Sequence, residues 1–157
     1  MNLKVIGGSI AGVLLLAAGL VRPWEGYSPE PYVDIVGKVT WCYGETKGIP
    51  KDSYKREECE AILQTSLGRH LSGVAACIGQ PLTENEWAAV LSWTYNVGVR
   101  AACGSTLVKR INRGEPGSAW CPELRKWVYA GGKRVKGLVN RREAELALCL
   151  RNPGAPQ

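Results

Sequence analysis

WEGYSPEPYVDIVGKVTWCYGET, residues 24–46, is the stretch on which the reading of this chain turns. Eight residues separate Glu25 from Asp34, and five separate Asp34 from Thr40. Gly26, Ser28, Pro29 and Pro31 make the segment after Glu25 rich in turn formers. From Pro31 to Gly48 the apolar and β-branched positions Val33, Ile35, Val36, Val39 and Thr40 are broken by Gly37, Gly44 and Gly48, which predicts short strands and turns. Asp34 then lies in an extended segment that comes back toward Glu25. Two carboxylates and a hydroxyl so arranged suit hydrolysis of a glycosidic bond. One carboxyl stays protonated to donate to the leaving oxygen, while the other, ionised, activates water or stabilises the sugar cation. The Thr40 hydroxyl is placed to hold that water.

The rest of the chain reads as helical. After Asp52 or Ser53, the residues Cys59, Ile62, Leu63, Leu67, Leu71, Val74 and Ile78 recur at three and four, the spacing of one long amphipathic helix. Gly79 and Pro81 end it. Thr83 and Glu86 form a capping box ahead of a helix with Trp87, Val90, Leu91 and Thr94, closed by Gly98. Ser105 to Arg113, Pro122 to Ala130 and Leu138 to Leu150 read as three further helices, with breaks at Gly114 and Gly131-Gly132. The Pro- and Gly-bearing tail from Asn152 to Gln157 is expected to fray. At 157 residues there is chain for a single core or two small lobes sharing a helix. The expected fold class is mainly α with a small antiparallel sheet (α+β), in two lobes with a cleft between them.

The net charge of +6 and pI near 9.1 favour an anionic partner. No nucleic-acid motif is present and the basic residues are scattered, so the anionic polymers and lipids of a bacterial envelope suit the charge and nucleic acid is not expected. No cofactor or metal is expected. His70 stands alone on the long helix, where it reads as a packed or surface residue, and none of the six cysteines shows zinc-type spacing. Cys42, Cys59, Cys77, Cys103, Cys121 and Cys149 are even in number and widely spaced, which points to disulfides in an oxidising compartment. Their connectivity is open in the sequence. Packing of the sheet on the long helix, and of neighbouring helices on each other, favours Cys42–Cys59, Cys77–Cys103 and Cys121–Cys149. Six tryptophans, with Tyr32 and Tyr95, offer faces for sugar stacking, although core packing is the commoner fate of each.

Several motifs resemble, in order, those of the phage-type lysozymes (endolysins). They are WEG, PYVDIVGKVTWCYGET, WTYNVG, STLVKRINRG, LRKWVYAGGK and GLVNRREAE, and together they cover nearly everything after residue 22. The resemblance implies a monomeric muramidase that cuts the N-acetylmuramic acid to N-acetylglucosamine bond of peptidoglycan during host lysis. It implies Glu25 as general acid and Asp34 and Thr40 handling the water, with inversion at the anomeric centre. All three residue types match. Asn96 would line the cleft, and Arg141 or Arg142 would pair with Glu25 or orient it. The catalytic domain would run over residues 22–157.

Residues 1–21 precede that domain. After Lys4, the seventeen residues Val5 to Val21 carry no charge, and nine of them are Val, Ile or Leu among Gly, Ala and one Ser. As a helix this segment spans roughly 26 Å, slightly short of a hydrocarbon core of about 30 Å. Three readings compete. Ala17-Ala18-Gly19 resembles a signal-peptidase site, although it lies inside the apolar run. A permanent anchor is a second reading, for which the segment is short and glycine-rich. The third is a signal-anchor-release segment, as in a subgroup of these endolysins: it holds the protein in the host inner membrane facing the periplasm, then leaves the lipid and docks as the N-terminal helix of a soluble enzyme. Glu25 lies only four residues beyond Val21. Insertion would therefore pin the acid near the headgroups.

Overall fold

The computed structural model describes residues 3–151, so the expected fraying of Asn152–Gln157 lies outside the described residues. The fold is mainly helical, with three two-stranded pairs. β1 (Val5–Ile6) leads into α1 (Ile10–Glu25), followed by a hairpin of β2 (Ser28–Val33) and β3 (Val39–Cys42). α2 (Arg56–Ala75) runs from that hairpin to β4 (Leu82–Thr83) and α3 (Glu84–Val97). The short helices α4 (Val99–Cys103), α5 (Thr106–Asn112) and α6 (Gly117–Trp120) lead to a 3-10 turn over Cys121–Lys126. A second hairpin, β5 (Tyr129–Ala130) and β6 (Lys133–Arg134), precedes the last helix, α7 (Lys136–Cys149).

α3 is the hub. Trp87 to Thr94 are all buried, so this helix is covered on every side, by α1, α2 and α7. Its Thr83–Glu86 capping box forms as the sequence predicts, with the Thr83 hydroxyl accepting from Glu86 N and Glu86 accepting from Thr83 N. α2 buries Cys59, Leu63, Leu67, Leu71 and Val74, the predicted stripe. It begins at Arg56, a little later than Asp52 or Ser53 would place it, because Glu58 folds back to accept from Lys55 N. The reading of Pro122–Ala130 as a helix is incorrect. Pro122 opens a 3-10 turn that stops at Lys126, and Tyr129–Ala130 pairs antiparallel with Lys133–Arg134 around Gly131 and Gly132, both at positive φ.

Residues 5–25 are an integral part of this fold. Val5 and Ile6 pair in parallel with Leu82 and Thr83, a pairing the sequence does not announce. Trp87 Nε1 donates to the Lys4 carbonyl at 3.0 Å. α1 then buries Val13, Ala17, Ala18 and Val21 against α3 and its neighbours. Each buried valine is worth about 1.5–3 kcal/mol, while the alanines let the helix axes approach. Leu15, at 67% exposure, stays outside this stripe. No helix among the described residues is long and apolar enough to cross a membrane.

The N-terminus of α1 is capped by two helices. Ser9 accepts from Gly12 N, while Ser9 N donates to Glu84 Oε1 of α3 at 2.9 Å. In an ordinary capping box the second contact comes from a Glu three residues after the cap. Here that position is Gly12, and Glu84 fills the role from another helix. A Cβ on Gly12 would overlap the Glu84 carboxylate, and one on Gly8 would lie 2.6 Å from Glu84 Cβ. At the other end, Pro23 weakens the last turn, and Gly26 at φ 70° lets the chain leave directly after Glu25.

The three disulfides are Cys42–Cys59, Cys77–Cys103 and Cys121–Cys149, the pairing that helix and sheet packing favours. They tie the hairpin to α2, the turn after α2 to α4, and the 3-10 turn to α7. Their sequence separations of 17, 26 and 28 residues are of the order at which one bridge contributes about 2–4 kcal/mol. Reduction is expected to lower the unfolding temperature by many degrees, read by circular dichroism with and without reductant. An unchanged transition would show the bridges to be dispensable.

Candidate active site

A cavity of about 310 Å³ lies between the turn that follows β3 and the helices α1, α2 and α3. Its wall includes Glu25, Gly44, Glu45, Arg69, His70, Tyr95 and Asn96. Glu25 arrives as the final residue of α1, so the docking of that helix sets its position. Arg141 of α7 donates to Glu25 Oε1 at 2.6 Å. Oε2 faces Gly44, where a Cβ would sit 3.0 Å away. One oxygen of the acid is thus gripped from behind while the other lies toward the turn after β3.

Arg141 and Arg142 are placed by the last helix, α7. They lie in its second turn and are buried to 3% and 0% exposure. Arg142 donates to Asn96 Oδ1 at 3.0 Å, which fixes the amide of a residue that lines the cavity. Burial pushes the Arg142 guanidinium down to about 10, with Glu145 opposing and Arg141 adding to that fall, so it remains a cation at neutral pH.

Asp34 and Thr40 sit on the first hairpin and are not part of the cavity wall that holds Glu25. Asp34 follows β2, and its Oδ1 accepts from Val36 N at 2.9 Å and Lys38 N at 2.8 Å. That oxygen builds the turn. Thr40 is buried in β3 opposite Tyr32, and its hydroxyl donates to the Lys38 carbonyl at 3.2 Å. Tyr32 is 46% exposed on β2.

Several wall residues escape a sequence reading. Glu45 is buried: its Oε1 accepts from Thr46 N and Lys47 N, and its Oε2 pairs with Arg69 at 2.8 Å. Burial raises its carboxyl, but these three donors outweigh that and hold it below the usual range. His70 is a cleft residue, tilted against Tyr95 at 4.9 Å between ring centres. The Tyr95 hydroxyl donates to the Tyr43 carbonyl at 2.7 Å, and burial, then the charge of Glu25, keeps it protonated. The available signal was the spacing of Ser66, Arg69 and His70, three and four apart on α2, a polar face beside the apolar stripe. Trp41, Trp87, Trp93 and Trp120 are core residues, as the packing reading predicts.

Residues 22–145 match the phage lysozyme family profile. The chain belongs to the phage lysozyme family. As a phage lysozyme it is a glycoside hydrolase. It is 41% identical over 150 residues to the SAR-endolysin of Bacteriophage PS119, covering 93% of this chain and 89% of that relative. It is likewise 41% identical to the SAR-endolysin of Enterobacteria phage P21, covering 92% and 90% of the two chains. The fold superposes on an endolysin from Escherichia coli O157:H7 phage FAHEc1 with a TM-score of 0.74 at 28% identity, covering 96% of this lysozyme and 95% of that chain. It also resembles the active form of the P1 phage endolysin Lyz, with a TM-score of 0.75 at 24% identity over 92% and 85% of the chains.

Gly44 of this lysozyme is sensitive to substitution on two counts. It combines φ +80° with close approach to Glu25 Oε2. Gly44→Ala is expected to cost about 1–2 kcal/mol in stability and to lower kcat by displacing the carboxyl. Thermal unfolding and kcat on soluble peptidoglycan fragments test this. Unchanged kcat would show that the approach does not matter to the chemistry.

Proposed function

We propose that this lysozyme cleaves the β-1,4 bond between N-acetylmuramic acid and N-acetylglucosamine with inversion. Glu25 donates its proton to the leaving oxygen, and Asp34 with Thr40 directs water at the anomeric carbon. The observation that carries the reading is Glu25 itself. It ends α1 in the cavity wall with one oxygen held by Arg141, which fixes the carboxyl for directional proton delivery. Both hydrogen bonds to Asp34 fall on Oδ1, which leaves Oδ2 as the oxygen for water. Digestion of purified peptidoglycan in isotopically labelled water tests this. A labelled reducing end of inverted configuration is expected. An anhydro ring would show a lytic transglycosylase instead.

We further propose that residues 1–21 hold the enzyme at the host inner membrane until the segment leaves the lipid, and that the α1 described above is its docked form. The relatives named SAR-endolysins support this over 92–93% of the chain, as does a short, glycine-bearing α1 whose last residue is the acid. While Val5 to Val21 is inserted, Glu25 cannot occupy the cavity wall. Collapse of the membrane potential is expected to move full-length protein from membrane to periplasm with onset of lysis. A product lacking its first nineteen or so residues would mark a cleaved signal peptide.

A further inference from the structure

Behind Glu25 lies a buried cluster of which the reaction as written uses only Arg141. Arg141 divides its guanidinium three ways: to Glu25 Oε1 at 2.6 Å, to the Ser92 carbonyl at 3.2 Å and to Glu145 Oε1 at 3.4 Å. Glu145 has no exposed surface and also accepts from the Ser92 hydroxyl at 2.7 Å. Arg142, equally buried, pairs with Glu145 Oε2 at 2.9 Å. Two guanidiniums and two carboxylates therefore share one interior. Only one of the four charges, that of Glu25, changes during catalysis.

We infer that Glu145 is a positioning residue for the reaction, aiming Arg141 at Glu25 and supplying the negative charge that lets Glu25 hold its proton. The inference rests on the reading of Glu25 as the acid. With Glu25 ionised, the cluster is neutral. With Glu25 protonated, as the acid must be, Arg141 and Arg142 face Glu145 alone and the cluster carries one positive charge. Without Glu145 both states gain a further positive charge, and protonation of Glu25 becomes harder. Burial pushes the Glu145 carboxyl up, opposed in part by Arg142, Ser92 and Arg141; its place between two guanidiniums, at 3.4 Å from Arg141 and 2.9 Å from Arg142, is what favours the carboxylate there. The other groups facing Glu25 do not alter this count. Glu45 is matched by Arg69, Arg22 by Glu60, Tyr95 keeps its proton, and His70 and Lys47 line the same cavity in every variant, so they do not enter the difference between variants.

The test is the pH profile of kcat/KM, whose alkaline limb reports loss of the acid's proton in the free enzyme. Glu145→Gln removes one charge a few ångströms behind Arg141. It is expected to move that limb toward acid by about one pH unit, and so to lower activity about tenfold above the limb. Glu145→Asp keeps the charge and should leave the limb in place even if its maximum falls. Glu145→Gln with Arg142→Met restores the charge count and should return the limb toward the original position. A merely structural role would lower the whole profile without moving it, and the double variant would not recover. A folded Glu145→Gln enzyme with an unmoved limb overturns the inference. Should that variant not fold, Arg142→Met alone carries the test with opposite sign, since losing a positive charge should move the limb toward alkali. An unmoved limb there counts equally against it. Glu25→Gln is run alongside: if it is inactive while the limb stays put, only the role of Glu145 falls, and if it is active, the reading of the acid falls first.

Discussion

Glu25→Gln is expected to lower the rate of peptidoglycan hydrolysis by about 10²–10⁴-fold, with the fold intact. The amide keeps the shape of the side chain, and its carbonyl oxygen still accepts from Arg141, whose guanidinium is buried and needs a partner. What is lost is the transferable proton. Asp34→Asn is the matched experiment on the other carboxylate. An amide oxygen still accepts from Val36 N and Lys38 N, and asparagine tolerates such turns, so the hairpin should persist. A severe loss of activity in that variant then reports the charge on the other oxygen, the one assigned to the water. The measurements are initial rates on purified peptidoglycan and turbidity loss of permeabilised cells, with circular dichroism to establish folding. Wild-type rates from folded Glu25→Gln would remove this residue from the mechanism.

The second large effect is expected from Gly8→Leu with Gly12→Leu, which should leave the protein membrane-bound and abolish timely lysis. Two separate causes converge on that outcome. Two added leucines favour insertion by about 1 kcal/mol or more in total. They also destroy the seat of Glu84, because Gly8 has Glu84 Cβ against it and Gly12 faces the carboxylate that accepts from Ser9 N. Gly12→Ser separates the causes: it adds bulk at the seat without added apolarity. It should leave the membrane normally yet dock poorly, with a lower unfolding temperature and reduced activity. Glu84→Ala removes the cap contact without touching the segment and should behave likewise, by about 1 kcal/mol for a lost cap. Lysis on schedule by Gly8→Leu/Gly12→Leu, with the full-length protein still in the membrane, would rule out release as the control.

Much of the architecture is legible because its signals are local. The three-and-four repeat from Cys59 to Val74 makes α2 wherever it packs, and Thr83 with Glu86 starts α3 through contacts three residues apart. The family was legible because Glu25, Asp34 and Thr40 lie within one short stretch whose types and spacing match a family pattern. The Pro122–Ala130 reading failed where local preference is weak: six residues of 3-10 turn and a two-residue strand carry no period that distinguishes them from a helix.

By itself, then, the sequence determined the long helix α2, the capped start of α3 and the stretches that carry the family resemblance, since each depends on neighbours along the chain. Only the tertiary structure decided that residues 5–6 pair with residues 82–83, that Glu84 caps α1 across 75 positions, and that Arg141 grips Glu25 across 116. It also decided that Glu145 and two arginines share one buried interior. These depend on which faces meet when α1, α3 and α7 pack. In a linear reading, a buried, charge-balanced arginine looks the same as a solvated one, and burial alone turns it from surface decoration into part of the acid's environment.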